Sequence, residues 1–301
     1  MLLALACPDC FCQVSGSVGA NAPAMGFAVI APDPVYSAKA YSGLAADNGA
    51  AWAARMNQAA AAFSPARISA ALSYLGWKAD GSTRLSAAGS FRMDSGIALS
   101  AALSHGGSKA YTEYDGLGNK LDEFSPEEIH ASLGAAYKFG NYSAGASVHY
   151  LQGTYSTGNG ISAICADITG YARFDSFNVS AGLKNIGGKV KDDSGDGFSL
   201  PSFIFAAGEY RCSIGDGSGI KADLDLGCFL SAGFSAAAGI EYSFKGMAFA
   251  RGGYHLGNDV LPGFASIGAG FRFAGIALDA AYLLSSSPMG GSFQVGLSAG
   301  F

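Results

Sequence analysis

The chain has 301 residues, and 54 Ala with 44 Gly make up close to a third of it. Only 14% are charged, against about 25% in an average soluble domain, while 50% are hydrophobic. No window approaches the ~18 apolar residues of a spanning helix, a net charge of −5 leaves no basic footprint for nucleic acid, and 20 Phe with 14 Tyr argue against disorder.

Residues 1–16 open on the short apolar run Met1–Ala6 and read as a signal-peptide remnant. Cys7, Cys10 and Cys12 lack a fourth ligand at metal-site spacing and fall in this segment, which is expected to be removed. Residues 17–66 are rich in Ala, Gly, Ser and Pro and do not alternate. The stretch Ala45–Phe63 carries one Trp and one Arg and suggests one or two short helices. This segment is expected to precede the sheet and to plug its lumen.

Residues 67–301 repeat one pattern: ten to thirteen residues alternating apolar with small or polar, then a turn. Period-2 alternation is the strand signal. Fourteen strands are predicted, at 67–78, 82–93, 96–105, 128–139, 142–152, 162–174, 176–187, 201–212, 219–229, 233–244, 246–255, 263–273, 275–285 and 291–301. In the last, Phe293, Val295, Leu297, Ala299 and Phe301 share one face, while Gln294, Gly296, Ser298 and Gly300 share the other. An apolar face for lipid and a small, sparsely polar face for a lumen predict an all-β, 14-stranded antiparallel transmembrane barrel in the bacterial outer membrane. A soluble sandwich also alternates, but its polar face carries many Lys and Glu, whereas this one carries Ser, Gly and Ala.

Short connections at 93–96, 139–142, 174–177, 244–246 and 273–275 are flanked by aromatic residues and alternate with longer ones at 106–127, 153–161, 188–200, 256–262 and 286–290. Short periplasmic turns and long outer loops are the barrel rule, with aromatics at the interface. The connection 213–218 looks long for its side. Phe301 and, with an even strand count, the N-terminal segment then fall on the periplasmic side. Cys212 is expected to face about residue 219, too far from Cys228 for a disulfide.

No nucleophile elbow, zinc-protease helix or phosphate loop occurs. The expectation is a non-enzyme with no cofactor and no metal. His130 and His149 are predicted on neighbouring strands, facing the lumen as isolated polar residues. Asp192, Ser194, Asp196 and Gly197 match positions 1, 3, 5 and 6 of a calcium loop, but Phe203 stands where its Glu is required. This favours a plain acidic loop. Asp167, Asp223, Asp225, Glu241, Arg251, Arg272 and Asp279 are predicted lumen-facing charges, paired with one another across strands or setting the polarity of a passage.

The ending Gly296-Leu297-Ser298-Ala299-Gly300-Phe301 resembles an outer-membrane assembly signal, with Gly296 and the terminal Phe301 as its marks. Gly118-Asn119-Lys120, Phe124 to Glu128, Gly182 to Gly187 and Ala250 to His255 resemble the PorV/PorQ family. Asp33-Pro34, Ala38 and Gly43 to Asn48 resemble the leading segment of that family and of FadL-like barrels. The chain departs from the family where Trp52 and Asn57 are separated and Gln58 replaces Pro.

The resemblance implies a FadL-like barrel of the type IX secretion system of Bacteroidota, partnered by outer-membrane lipid and the barrel-assembly machinery. It further implies partners in secreted cargo and a PorU-like sortase, met by loops 106–127 and 188–200. The FadL relatives instead imply passage of hydrophobic small molecules. That alternative calls for an apolar pocket near the outer mouth and a kinked strand. A barrel with a purely structural role is the third reading.

Overall fold

The computed structural model describes residues 23–47, 49–78, 81–115, 117–157, 159–191, 197–284 and 291–301. The expected signal remnant, Cys7, Cys10, Cys12, and Asp192, Ser194 and Asp196 of the acidic loop lie outside the described residues. The strands follow in chain order: β1 (Ile68–Gly76), β2 (Thr83–Arg92), β3 (Ile97–Gly107), β4 (Tyr111–Tyr114), β5 (Lys120–Phe124), β6 (Glu127–Phe139), β7 (Tyr142–Ser156), β8 (Asn159–Arg173) and β9 (Phe177–Gly187). They continue with β10 (Val190–Lys191), β11 (Gly197–Phe198), β12 (Phe203–Gly215), β13 (Ser218–Phe229), β14 (Gly233–Phe244), β15 (Ala248–Leu256), β16 (Phe264–Phe273), β17 (Ile276–Leu284) and β18 (Ser292–Gly300).

Fourteen of these form one closed antiparallel barrel, at the positions the alternation predicts. The first strand closes on the last, with Ser69 opposite Gly300 and Gly76 opposite Phe293. The amides of Arg67 and Ile68 both donate to the Phe301 carbonyl. Closure leaves no unpaired edge, which is what lets a sheet sit in hydrocarbon. The two remaining pairs, β4–β5 and β10–β11, are small hairpins inside the long outer connections, which the sequence reading took as loops.

Alternation dictates the two faces. Leu85, Leu99, Leu133, Val148, Ile164, Ile204, Leu224, Ile240, Ile267, Leu278 and Leu297 point outward and are exposed. Soluble monomers rarely expose apolar patches beyond a few hundred Å², and here the patch runs round the whole barrel, so its solvent is lipid.

At one end every connection is short. The connection 213–218, expected to be long, is the two-residue turn Asp216–Gly217. The sheet extends through it because Gly215 takes φ +98° at a bulge, and Asp216 (φ +50°) with Gly217 (φ +73°) supplies the left-handed pair that a tight hairpin needs. Tyr137, Phe139, Tyr142, Phe174 and Phe177 form a run of ring contacts along this end, with Phe174 and Phe177 4.5 Å apart. We take this end as periplasmic.

Residues 23–47 and 49–64 lie inside the barrel. They form the five-residue helix α1 (Pro34–Ala38) and 3-10 turns at Gly26–Val29, Ala50–Trp52 and Gln58–Phe63. Inward glycines make the room. A Cβ on Gly253 would stand 2.4 Å from the Lys39 carbonyl, and one on Gly145 would stand 2.5 Å from the Ala59 nitrogen. The small lumen face therefore does not leave an empty interior; it receives this segment.

Candidate functional site

The lumen changes character along its axis. Its outer part is apolar. Leu75, Leu151, Phe229, Phe264 and Leu283 of the wall pack with Met25, Phe27, Ile30 and Tyr41 of the inner segment. Tyr41 meets Phe264 edge-on at 5.2 Å, and His255 stacks on the same ring at 5.4 Å.

Beneath this cluster the inner segment is tied to the wall by polar bonds. Lys39 is buried, and its Nζ donates to Asp223 at 2.6 Å. Burial alone would lower the Lys39 pKa, but Asp223, Glu241 and Glu209 more than offset this and hold it raised. Asp225 accepts from the Gly43 and Leu44 amides at 3.1 and 3.0 Å. Gln294 accepts from Ser37 and donates to the Pro32 and Ala31 carbonyls. Ser266 accepts from the Ala40 amide, Thr169 from the Ala59 amide, and Ser100 bonds Gln58.

A second polar set crosses β6 to β9. His130 Nε2 lies 3.2 Å from His149 Nδ1, and His149 Nε2 lies 3.2 Å from Asp167. Asp167 accepts from Lys184 and from the Asn185 amide, both at 2.7 Å. Lys184 also donates to the Arg55 and Met56 carbonyls at 2.9 Å. The two histidines are thus members of a network, not isolated residues, because register brings His149 beside both His130 and Asp167. Among the described residues no group of three or more His, Cys, Asp or Glu side chains is placed so that it could hold a metal ion.

The charges expected in the lumen divide by role. Glu241, Arg251 and Asp279 pair across strands, with Arg251 2.6 Å from each carboxylate. Asp167, Asp223 and Asp225 are buried and engage Lys184, Lys39 and the backbone of residues 43 and 44, so their partners are not the other predicted charges. Arg272 has inward register but sits exposed at the periplasmic mouth, over the Phe249 ring at 5.1 Å. Gly296 faces inward against Pro34, and Phe301 closes the barrel seam. Lys39, Arg55 and Lys184 escaped the sequence reading; the available signal was that Lys39 and Arg55 are lone cations in a nearly uncharged stretch.

Between these zones lies a cavity of about 80 Å³. Tyr36, Tyr41, Leu44, Phe203, Phe229 and Leu261 line it, with Arg55, Lys184, Asn185 and His255 as polar points. Arg55 is buried and donates to the Ile30 carbonyl and Ser104 Oγ, with no carboxylate within 4 Å among the described residues. Burial, then the nearby Arg84, lower its pKa to about 9.

The wall beside the cavity is irregular. The β8–β9 register shifts between Ala166 and Ile168, leaving two residues, Lys184 and Asn185, opposite Asp167. Asn185 takes φ +55°. The ladder from β9 to β12 ends at Lys184–Phe203, and beyond it Asn185 reaches Pro201 and Ser202 through side-chain bonds. Bulges of this kind bend a strand and end pairing.

Asp33 caps α1, its Oδ1 accepting from the Val35 amide at 2.9 Å. Burial raises its pKa to about 6; the helix amide, Arg251 and Lys39 pull it down, and Asp279 pushes it up. An acid whose folded pKa exceeds its unfolded value of 3.8 contributes stability that is complete below about pH 4 and is lost as pH rises through 6. Asp33→Asn retains the acceptor without the charge. We expect it to raise the thermal midpoint at pH 8 and to match the wild type at pH 4. A midpoint difference that is constant from pH 4 to pH 8 would exclude this role for Asp33.

These features define a class: a fourteen-stranded, outer-membrane type barrel whose N-terminal segment folds into its own lumen. The fold is FadL-like. The toluene transporter TbuX of Ralstonia pickettii aligns with TM-score 0.62 at 14% identity over 89% of this chain and 98% of its own. The toluene transporter TodX of Pseudomonas putida aligns at 0.57, 12% identity, 89% and 98%. A Pseudomonas aeruginosa FadL homologue aligns at 0.55, 13% identity, 91% and 99%. No family model matches the chain, and no curated protein matches it in sequence. The PorV/PorQ resemblance therefore receives no support from these comparisons.

Proposed function

We propose that the barrel passes small hydrophobic molecules across the outer membrane without catalysis. The observation that carries this reading is the apolar cavity placed against the β9 bulge. A ligand that enters through the outer apolar zone meets aromatic walls in the lumen, and the irregular β8–β9–β12 part of the barrel wall stands beside it. At about 80 Å³ the cavity is about half the ~150 Å³ of an engineered apolar cavity that takes benzene, so a small ring is seated as the lining side chains move apart. TbuX and TodX, named as toluene transporters, lend support through their shared architecture. Arg55 and Lys184 would donate to a polar substituent on the ligand.

The test is uptake of radiolabelled toluene by cells expressing this barrel in a host without such a channel. We expect at least tenfold faster uptake than in the empty host, with permeability to a hydrophilic solute unchanged. The reading fails if toluene uptake is unaffected. It also fails if deletion in the native cell strips type IX cargo from the surface while toluene uptake is unchanged, the outcome the secretion reading requires.

A further inference from the structure

Six basic side chains take inward register near the periplasmic end, one from each of six strands: Arg92, Lys138, Arg173, Arg211, Lys221 and Arg272. Each stands two residues along from an inward residue, respectively Ser90, Ala136, Tyr171, Glu209, Asp223 and Gly270. Two carboxylates are shared among them. Asp47 of the inner segment lies 3.4 Å from Arg173, 3.6 Å from Lys221 and 3.9 Å from Arg211. Glu209 lies 3.3 Å from Arg211 and 3.8 Å from Lys221. Among the described residues no carboxylate lies within 4 Å of Arg92, Lys138 or Arg272; Lys138 rests over the Phe63 ring and Arg272 over Phe249. Deeper in the lumen Arg251 pairs with both Glu241 and Asp279, a set that keeps one negative charge.

Part of this positive rim borders a cavity of about 340 Å³. Arg173, Lys221 and Arg272 line it, Asp47 and Trp52 of the inner segment also border it, and Ser69, Gly296, Ser298 and Gly300 leave the space. Asp33 and Asp279 also line it, the first engaged as the α1 cap and the second by Arg251. The lining thus holds three bases and three acids. With Asp33 and Asp279 engaged elsewhere, Asp47 alone faces Arg173 and Lys221, while Arg272 has no carboxylate within 4 Å among the described residues. This local positive excess attracts counter-ions.

We propose that this vestibule binds a small multivalent anion, a polycarboxylate or phosphate of about citrate size, drawn from the periplasm and held by Arg173, Lys221 and Arg272. The cations have lumen-facing register, not lipid-facing register, so a soluble anion fits and a bilayer headgroup does not. The bound anion competes with Asp47 for Arg173 and Lys221 and so loosens the inner segment from the wall at that level. This site is separate from the apolar cavity and does not depend on what that cavity carries.

The test is isothermal titration of the full barrel in neutral detergent, at constant ionic strength, with citrate, inorganic phosphate, acetate and glycerol. Citrate should bind once, with a dissociation constant of millimolar or below, and acetate at least tenfold more weakly. Lys221→Gln with Arg272→Gln should weaken citrate at least tenfold, while Lys221→Arg with Arg272→Lys retains it. Lys189→Gln, at the outer end, should change nothing. Heat-modifiable migration on a gel shows whether each variant keeps its barrel. Absence of saturable citrate heat from the wild type overturns the proposal. So does equal binding by a folded Gln double variant. Competition from phosphatidylglycerol doped into the micelle would place the site on the lipid face and overturn it likewise.

Discussion

Replacing Lys39 with methionine is expected to open the barrel to ions. Lys39 and Asp223 form a buried pair at 2.6 Å, joining the inner segment to β13. Removing the lysine leaves Asp223 as a buried, unpaired carboxylate beside Asp225, and breaking one side of such a pair typically costs about 3–5 kcal/mol. The other ties of the inner segment are neutral hydrogen bonds, each worth ~1 kcal/mol, charge-assisted bonds of Asp225, Lys184 and Arg55, and the Asp47 ion pairs at the mouth, so the loss falls on the anchor at the level of Lys39. The wall itself keeps every ladder bond. In planar bilayers the wild-type barrel should show sparse openings, and Lys39→Met should raise the time-averaged conductance at least tenfold. The double variant Lys39→Met with Asp223→Leu should return towards wild type, because it removes the buried charge together with its partner. A wild-type conductance for the single variant would show that the inner segment is held in place without Lys39.

The barrel was legible in the sequence because its signal is local and repeated. Each strand writes its lipid face as every second residue, and fourteen repetitions give the count and the closure. Asp216–Gly217 was read as part of a long connection because a bulge at Gly215 interrupts the alternation just before the turn. The hairpins β4–β5 and β10–β11 are too short to carry a period. The ties of the inner segment were not legible for a different reason. Lys39 and Asp223 are 184 residues apart, and no local pattern relates them. The lumen charges could be placed on the correct face by parity, yet parity does not say whether a carboxylate meets another strand or a segment threaded through the barrel. The glycines of the lumen face have the same ambiguity: alternation shows a small inner face, but not that Gly253 and Gly145 are the seats of Lys39 and Ala59.

Ala237→Phe is expected to abolish passage of small hydrophobic molecules while sparing the barrel. Ala237 is buried on the lumen face of β14 and lines the apolar cavity. Phenylalanine adds roughly 100 Å³ over alanine, a volume increase of the kind that overpacks a filled site, and the cavity measures about 80 Å³. The added ring therefore occupies the space a small aromatic ligand would take. Toluene uptake should fall at least tenfold, and Ala237→Val should fall between the two. The neighbouring Ala238 points outward and is exposed, so Ala238→Phe adds the same volume on the lipid side and should leave uptake unchanged. Equal uptake by Ala237→Phe and Ala238→Phe would mean that the cavity is not on the path. Loss in the first alone, with heat-modifiable migration intact in both, would tie transport to the cavity that Ala237 lines together with Asn185 of the β9 bulge.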